Sequence, residues 1–128
     1  MSMLSSCDII AFVATTDAER ARAFYGDTLG LRLVDDTPVA LVFDAHGTML
    51  RVAKLESLMP ATHTVLGWRV ADVASTVDEL AATGVAFERF DGLEQDERGI
   101  WTSPAGGKIA WFKDPSGNIL SLTEFPVG

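Results

Sequence analysis

Residues 111–125 read WFKDPSGNILSLTEF, in which a four-residue turn from Asp114 to Gly117 joins two strands. The same arrangement occurs earlier in the chain, at residues 44–52, as DAHGTMLRV. Aspartate and glycine are typical of tight turns, because aspartate binds neighbouring backbone amides and glycine adopts a positive φ without strain. The chain therefore contains one turn–strand unit twice, and the repeat extends outward from it.

A strand and a helix precede each copy of this unit. Residues 11–30 read AFVATTDAERARAFYGDTLG, and residues 66–84 read LGWRVADVASTVDELAATG. Each stretch contains an apolar strand, an aspartate that caps a helix, an alanine-rich helix and a glycine that ends it. The repeated order of strand, helix and three strands predicts an α+β fold of two tandem βαβββ modules.

Hydrophobic periodicity gives approximate bounds for these elements. We expect helices at 17–28 and 73–83. The strands are predicted at 8–15, 31–34, 38–43, 48–53, 63–70, 85–90, 98–103 and 108–113, with a final strand ending near Glu124. A single domain, 1–128, then holds module one at about 8–56, a linker at about 55–62 and module two at about 63–125.

Composition limits the classes of partner. The chain has 128 residues and a net charge of −8, so it repels phosphate backbones and we expect no nucleic-acid partner. No apolar run approaches the roughly 18 residues that span a bilayer, so no membrane partner is expected. The N-terminus does not read as a signal peptide. The only cysteine, Cys7, cannot form an internal disulfide, which suits a cytoplasmic location.

The element order resembles that of the vicinal oxygen chelate superfamily, which includes glyoxalase I, extradiol dioxygenases, and bleomycin- and fosfomycin-resistance proteins. The stretches that carry the resemblance are FVATTDAERARAFYGDTLGLRLV, GWRVADVASTVDELAATGVAF and, most specifically, WFKDPSGNILSLTEF. Together these stretches extend the resemblance over about residues 8–125. The resemblance implies a cup-shaped mixed sheet with helices outside, a small molecule in the cup, and pairing as a homodimer.

The resemblance also implies where a divalent metal would bind. Metal-dependent members take one ligand, usually histidine, from each module's first strand, seven residues before the capping acid. They take another, usually glutamate, glutamine or histidine, from each last strand, four residues after the turn glycine. In this chain the positions fall on Ile10, Arg51, Val65 and Ser121. Hydrocarbon, guanidinium and neutral hydroxyl groups are poor metal donors, so we expect no family metal and no other cofactor.

A displaced divalent metal is the alternative. Asp8 and His63 lie two residues before Ile10 and Val65, on the same strand faces if the strands are regular. No third or fourth ligand accompanies this pair, and a polar residue at a strand end is the simpler interpretation. His46 lies in the first turn, where we expect it to be exposed.

Strand alternation predicts which side chains share a face with these positions. In module one, the face of Ile10 and Arg51 should also carry Asp8, Phe12, Ala14, Ala40, Val42 and Met49. In module two, the Ser121 face should carry His63, Gly67, Arg69, Trp101, Ala110, Phe112 and Ile119, with Trp101 opposite Ala110. Trp68 and Trp111 should lie on the other face. The predicted ligand-binding residues are therefore Phe12, Arg51, Arg69, Trp101, Phe112 and Ser121.

An apolar pocket with a few polar groups is typical of a small-molecule site. Two arginines in such a pocket favour a planar organic acid or phenolate. The leading hypothesis is a metal-independent protein that binds an aromatic, anionic or drug-like molecule. One alternative is a metal-dependent lyase, isomerase or dioxygenase with a displaced site, although no nucleophile–base arrangement falls within one predicted cavity. The other alternative is a non-catalytic dimerising module whose cup is packed shut.

Overall fold

The computed structural model describes residues 3–127 and divides into two compact units, with the boundary between Met59 and Pro60. Both units have the order strand, helix, three strands, so the predicted α+β class is confirmed. Unit one contains β1 (Ile10–Thr15), α1 (Ala18–Arg22), a π-helical segment (Ala23–Thr28), β2 (Arg32–Asp36), β3 (Ala40–Ala45) and β4 (Thr48–Lys54). Unit two contains β5 (Thr64–Arg69), α2 (Val73–Ala82), β6 (Trp101–Thr102), β7 (Lys108–Lys113) and β8 (Ile119–Glu124). No helix within residues 3–127 is long and apolar enough to span a membrane.

The sheet of unit one has the order β1-β4-β3-β2, with β1 parallel to β4 and the other pairs antiparallel. One face holds the core, where Phe43 pairs with Leu50 and Leu41 pairs with Val52. All four side chains are buried. The buried Tyr25 ring lies 6.0 Å from the Phe43 ring, measured between centroids. The helical segment therefore covers this face and leaves the opposite one for other contacts.

The helix predicted over 17–28 has the correct extent, but its second half is π-helical. Asp17 caps the first half, because its Oδ1 accepts a hydrogen bond from the Arg20 amide at 3.1 Å. In the second half the Leu29 amide donates to the Phe24 carbonyl, five residues earlier, at 2.9 Å. Sequence periodicity does not distinguish this wider turn from an α-helical one.

The sheet of unit two has the order β5-β8-β7-β6, with β5 parallel to β8. The face beneath α2 carries Ala110, Phe112, Leu120 and Leu122, which are all buried. Asp72 caps α2 by accepting the Ser75 amide at 3.2 Å. The core of this unit therefore lies between α2 and the two central strands, β7 and β8.

The strand predicted at 85–90 is wrong. Phe87 makes only an isolated bridge to Phe112, and the strand expected at 98–103 is reduced to β6. The Gln95 side chain replaces part of a strand ladder, because its amide accepts from the Phe90 amide at 2.8 Å and donates to the Glu88 carbonyl at 3.0 Å. A single glutamine in a charged stretch gives no periodic signal, so the pattern did not reveal this role.

The first hairpin loop is two residues shorter than predicted, and a shift by two positions keeps each side chain on its predicted face. Ala45 pairs with Thr48 across a two-residue loop, in which His46 and Gly47 have φ angles of 53° and 89°. Two residues with positive φ match the twist of an antiparallel hairpin. His46 is exposed, as predicted. Val42 consequently lies opposite Arg51, and the predicted face assignments in β3 and β4 are correct.

The last hairpin loop is one residue longer than predicted. Lys113 pairs with Ile119, so the loop runs over five residues, from Asp114 to Asn118. Asp114 closes it, because its Oδ1 accepts from the amides of Ser116 and Asn118, both at 2.9 Å. A shift of one residue exchanges the two faces of a strand. This shift changes the composition of the candidate site in unit two.

Candidate functional site

Ile10 and Arg51, the two family metal positions of unit one, lie on the sheet face opposite the helical segment. Strand pairing places Ile10 beside Met49 and Phe12 beside Arg51, with all four on one face, as predicted. Phe12 is 61% exposed, Ile10 45% and Met49 42%. This is a contiguous group of apolar side chains around one cation, and we call it the Arg51 face.

Arg51 is half-buried on this face. Its guanidinium has no ion pair and no hydrogen bond with any residue between 3 and 127. A partly desolvated guanidinium gains from binding an anion, since it presents five fixed donors. The neighbouring Arg32, by contrast, is exposed and lies 4.0 Å from an oxygen of Asp44.

A cleft of about 440 Å³ lies at one end of the Arg51 face. Ile10, Val42 and Met49 line its apolar side, and Asp8, Arg32 and Asp44 contribute its charged groups. This volume is within the range of small-molecule sites. The cleft therefore extends the exposed apolar surface next to Arg51.

In unit two the predicted composition of the Ser121 face needs two corrections. Trp111 pairs with Ser121 and joins this face, whereas Ala110 and Phe112, which were predicted on it, lie on the opposite face. Phe112 is fully buried on the α2 face, where it stacks with Trp68 at 6.5 Å between ring centroids. The five-residue loop from Asp114 to Asn118 causes both changes, since it moves the pairing by one position.

Trp101 lies on the predicted face for a different reason from the one expected. It pairs with Ile109 rather than with Ala110, because the loop before β7 is also one residue longer than predicted. The two register changes cancel, and Trp101 remains on the same side as Ser121 and Trp111. The centroids of the Trp101 and Trp111 rings are 6.3 Å apart. We call this surface of unit two the Trp101–Trp111 face.

A register shift in β5 changes the expected position of Val65. Thr64 pairs with Ile119, Gly67 pairs with Ser121, and the register shift lies between them. Regular alternation therefore does not hold at Val65, and it does not place Val65 on the Ser121 face. The hydroxyl oxygens of Thr64 and Ser121 are 2.9 Å apart. Gly67 faces Ser121 without a side chain, and an added Cβ would lie 2.8 Å from Ser121 Oγ. Sequence reasoning missed Thr64 because regular alternation does not include a bulge.

Arg69 is exposed and lies on the Ser121 face, as predicted, paired with Thr123. Its guanidinium carbon is 4.9 Å from the centroid of the Phe125 ring, which is a cation–π distance. Arg69 therefore has an internal partner, whereas Arg51 has none within residues 3–127.

The residues at the family metal positions offer two branched hydrocarbons, a guanidinium and a hydroxyl, none of which suits a divalent cation. Asp8 and His63 are exposed and precede β1 and β5, respectively. Between residues 3 and 127, no three histidine, cysteine, aspartate or glutamate side chains lie close enough together to hold a metal ion.

The carboxyl groups with shifted pKa values, Asp36 and Asp78, form ion pairs at the surface. A hydrogen bond from Lys54, at 2.6 Å, lowers the pKa of Asp36, and Arg22 lowers it further. The two hydrogen bonds from Arg98 lower the pKa of Asp78 in the same way. These ion pairs connect neighbouring elements at the surface and do not form an acid–base pair for catalysis.

The family model of the glyoxalase/bleomycin resistance protein/dioxygenase superfamily matches residues 8–122. The chain belongs to this superfamily. The resemblance carried by the repeated strand–helix units and by the DPSGN turn is thereby confirmed. None of the curated proteins matches the chain.

Several solved structures of the superfamily are similar over nearly the whole chain. A lactoylglutathione lyase from Agrobacterium tumefaciens has 19% sequence identity and a TM-score of 0.71, covering 93% of both chains. A putative glyoxalase family protein from Bacillus anthracis has 19% identity and a TM-score of 0.75, covering 98% of this chain and 100% of the other. TnmS3, an antibiotic binding protein from Streptomyces sp. CB03234, has 25% identity and a TM-score of 0.69, covering 94% and 98%. The chain is thus similar in fold both to a structure described as a lyase and to one described as an antibiotic binding protein.

Proposed function

We propose that the protein binds a small aromatic or drug-like anion on the Arg51 face without the family's metal. The observation that carries the proposal is the half-buried Arg51 guanidinium, which has no partner within residues 3–127 and lies beside exposed apolar side chains. A carboxylate or phenolate would satisfy its donors. An aromatic body would cover Phe12 and Met49 at the same time.

Electrostatics supports binding without a metal. The permanent positive charge of Arg51 repels a dication at the position where metal-dependent members carry a carboxylate, amide or imidazole ligand. The same charge attracts an organic anion despite the net charge of −8, because screening weakens distant surface charges over about 10 Å. The proposal therefore assigns to Arg51 a role in ligand binding in place of metal coordination.

Residues of unit two are proposed to contribute to ligand binding as well. Trp101 offers a large aromatic surface, and Arg69 and Ser121 lie on the same face. The likeness to TnmS3, whose description names antibiotic binding, favours a binding role. The likeness to the lactoylglutathione lyase, at 19% identity, supports the fold alone. Homodimer formation stays a prediction from the family resemblance.

Calorimetric titration with 2-naphthoate, with its neutral amide for comparison, tests the proposal. A charged hydrogen bond contributes about 1.5–3 kcal/mol, so Arg51→Ala should weaken naphthoate binding roughly tenfold to 100-fold. Arg20→Ala is the matched control, since it removes an exposed arginine of α1, outside the Arg51 face and its cleft, and should change the affinity less than twofold. Equal affinities of the native protein and the Arg51→Ala variant would remove Arg51 from the site and end the proposal.

A further inference from the structure

The connection between α2 and β6 contains an exposed turn that is not part of the candidate site. Residues 90–93 read FDGL, and Asp91 is the only aspartate in the chain that is followed by glycine. Both Asp91 and Gly92 are exposed. A long hydrogen bond, from the Leu93 amide to the Phe90 carbonyl at 3.3 Å, closes the turn. Loop tips with small and polar residues are the places where the motion of a folded chain is least restricted.

The Asp91 carboxyl group and the Gly92 amide are both free of partners in the described part of the chain. Asp91 makes no ion pair or side-chain hydrogen bond with any residue between 3 and 127. The Gly92 amide donates to no residue in the same range. Glycine has no Cβ to shield this nitrogen, and even a Cβ built on Gly92 would meet nothing within 4 Å. The nitrogen is therefore open to the carboxyl carbon of the residue before it.

The same segment contains an aspartate that lacks these features. Asp96 is also exposed, but its Oδ1 accepts hydrogen bonds from the amides of Arg98 and Ile100, both at 2.9 Å. The residue after it, Glu97, carries a side chain beside the amide nitrogen. Asp96 is thus held in place and flanked by a bulkier neighbour, whereas Asp91 is neither.

We propose that Asp91–Gly92 is a site of spontaneous isoaspartate formation. The Gly92 nitrogen bonds to Asp91 Cγ, and the hydroxyl of the protonated carboxyl group leaves with the amide proton as water, which closes a five-membered imide ring. Water then adds to the main-chain carbonyl carbon of Asp91, and the bond from this carbon to the Gly92 nitrogen breaks. The chain now continues through Cβ and Cγ, and the former main-chain carbonyl is the free carboxylate. Water is the only co-reactant, and the mass of the protein does not change.

The modification should loosen the segment around Phe90. Isoaspartate adds one methylene group to the main chain between Phe90 and Leu93, so the hydrogen bond that closes the turn cannot keep its geometry. The Phe90 amide donates to Gln95 Oε1 at 2.8 Å, and the Phe90 ring meets the Trp111 ring at 89°, with centroids 5.4 Å apart. Both contacts begin one residue before the altered bond. This inference concerns unit two alone and does not depend on ligand binding at Arg51.

Mass spectrometry of protein incubated in H₂¹⁸O at neutral pH tests the inference. Trypsin cleaves after Arg89 and Arg98, so a single peptide, residues 90–98, contains both Asp91 and its control, Asp96. Each opening of an imide ring inserts one ¹⁸O atom at the aspartate that formed it. After digestion in ordinary water, fragmentation of the peptide should locate ¹⁸O and isoaspartate at Asp91 and neither at Asp96.

Two variants at the exposed Asp91 position identify the chemistry. Asp91→Glu should lose the isoaspartate signal, because the longer side chain must close a six-membered ring. Asp91→Asn should raise the rate of ¹⁸O uptake, because the side-chain amide is not ionised and ammonia leaves in place of water. Circular dichroism checks that both variants fold.

Nuclear magnetic resonance of ¹⁵N-labelled, aged protein tests the structural consequence. Modified molecules should give a second Phe90 amide signal that exchanges with solvent faster than the first. The Asp96 amide, which donates to the Ile100 carbonyl at 2.9 Å, is the control and should exchange at an unchanged rate.

Three results would overturn the inference. Isoaspartate that forms in urea but not in the folded protein would mean that the folded turn prevents the attack. Equal ¹⁸O uptake at Asp91 and Asp96 would refute the role assigned to the free carboxyl and amide groups. An unchanged exchange rate of the Phe90 amide in modified molecules would refute the loosening of the segment.

Discussion

The substitution Gly67→Ala tests the register that forms the Ser121 face. An alanine Cβ at this position would lie 2.8 Å from Ser121 Oγ and 3.3 Å from the Ser121 carbonyl oxygen. The first distance is too short for any stable contact, so the Ser121 side chain or the strand must move. Its hydroxyl would then lose the position it holds 2.9 Å from Thr64 Oγ1.

Overpacking of this kind costs about 1–3 kcal/mol, and replacing a strand glycine returns less than 1 kcal/mol. We expect Gly67→Ala to lower the free energy of unfolding by about 1–2 kcal/mol. At this chain length each kcal/mol corresponds to a decrease of roughly 3–5 °C in Tm. Urea unfolding followed by circular dichroism measures the change directly.

A double-mutant cycle identifies the cause. Ser121→Ala removes the oxygen that the new Cβ would meet, so Gly67→Ala should cost about 1 kcal/mol less in that background. Gly26→Ala is the control, because its Cβ would meet only ordinary contacts, at 3.7 Å from Phe43. Native-like stability of Gly67→Ala, or no coupling with Ser121→Ala, would refute the assigned register.

Two other predictions concern burial and charge. Phe112→Ala should cost about 3–5 kcal/mol because the ring is fully buried, whereas Trp111→Ala should cost less than about 2 kcal/mol; the reverse order in urea unfolding would contradict the corrected faces. Asp36→Asn should reduce stability above about pH 5, since the folded-state pKa of Asp36 is lowered by Lys54 from its ordinary 3.8 and the ionised carboxylate favours the folded state. The stability difference from the native protein should disappear as the pH falls below 3.8 and through the folded-state pKa; a difference that persists at lower pH would exclude the ion pair as its cause.

Periodicity and capping residues predicted the order of the elements because these signals are local. Asp17 and Asp72 cap their helices through their own side chains, and the apolar spacing of each helix is visible in the sequence. The short β6 was harder to predict, because hydrogen bonds that the Gln95 side chain accepts from Phe90 and donates to Glu88 replace backbone pairing in the preceding segment. A contact of this kind depends on the completed fold.

The composition of the candidate faces depended on single-residue details. The loop at His46 and Gly47 is two residues shorter than predicted, but a shift by two positions keeps the faces, so Phe12 and Arg51 were placed correctly. The last loop includes Asn118 and is one residue longer than predicted, so Trp111 rather than Phe112 lies on the Ser121 face. Alternation predicts faces only when every loop length and bulge is known, and these are set by tertiary hydrogen bonds.

The central claim is that an organic anion binds at Arg51 without a metal. Calorimetric titration of 2-naphthoate into protein dialysed against a chelator tests it most directly, with untreated protein as the reference. We predict the same affinity for both samples and a loss of tenfold or more in Arg51→Ala. Binding that disappears after chelation and returns when Zn²⁺ is added would contradict the claim.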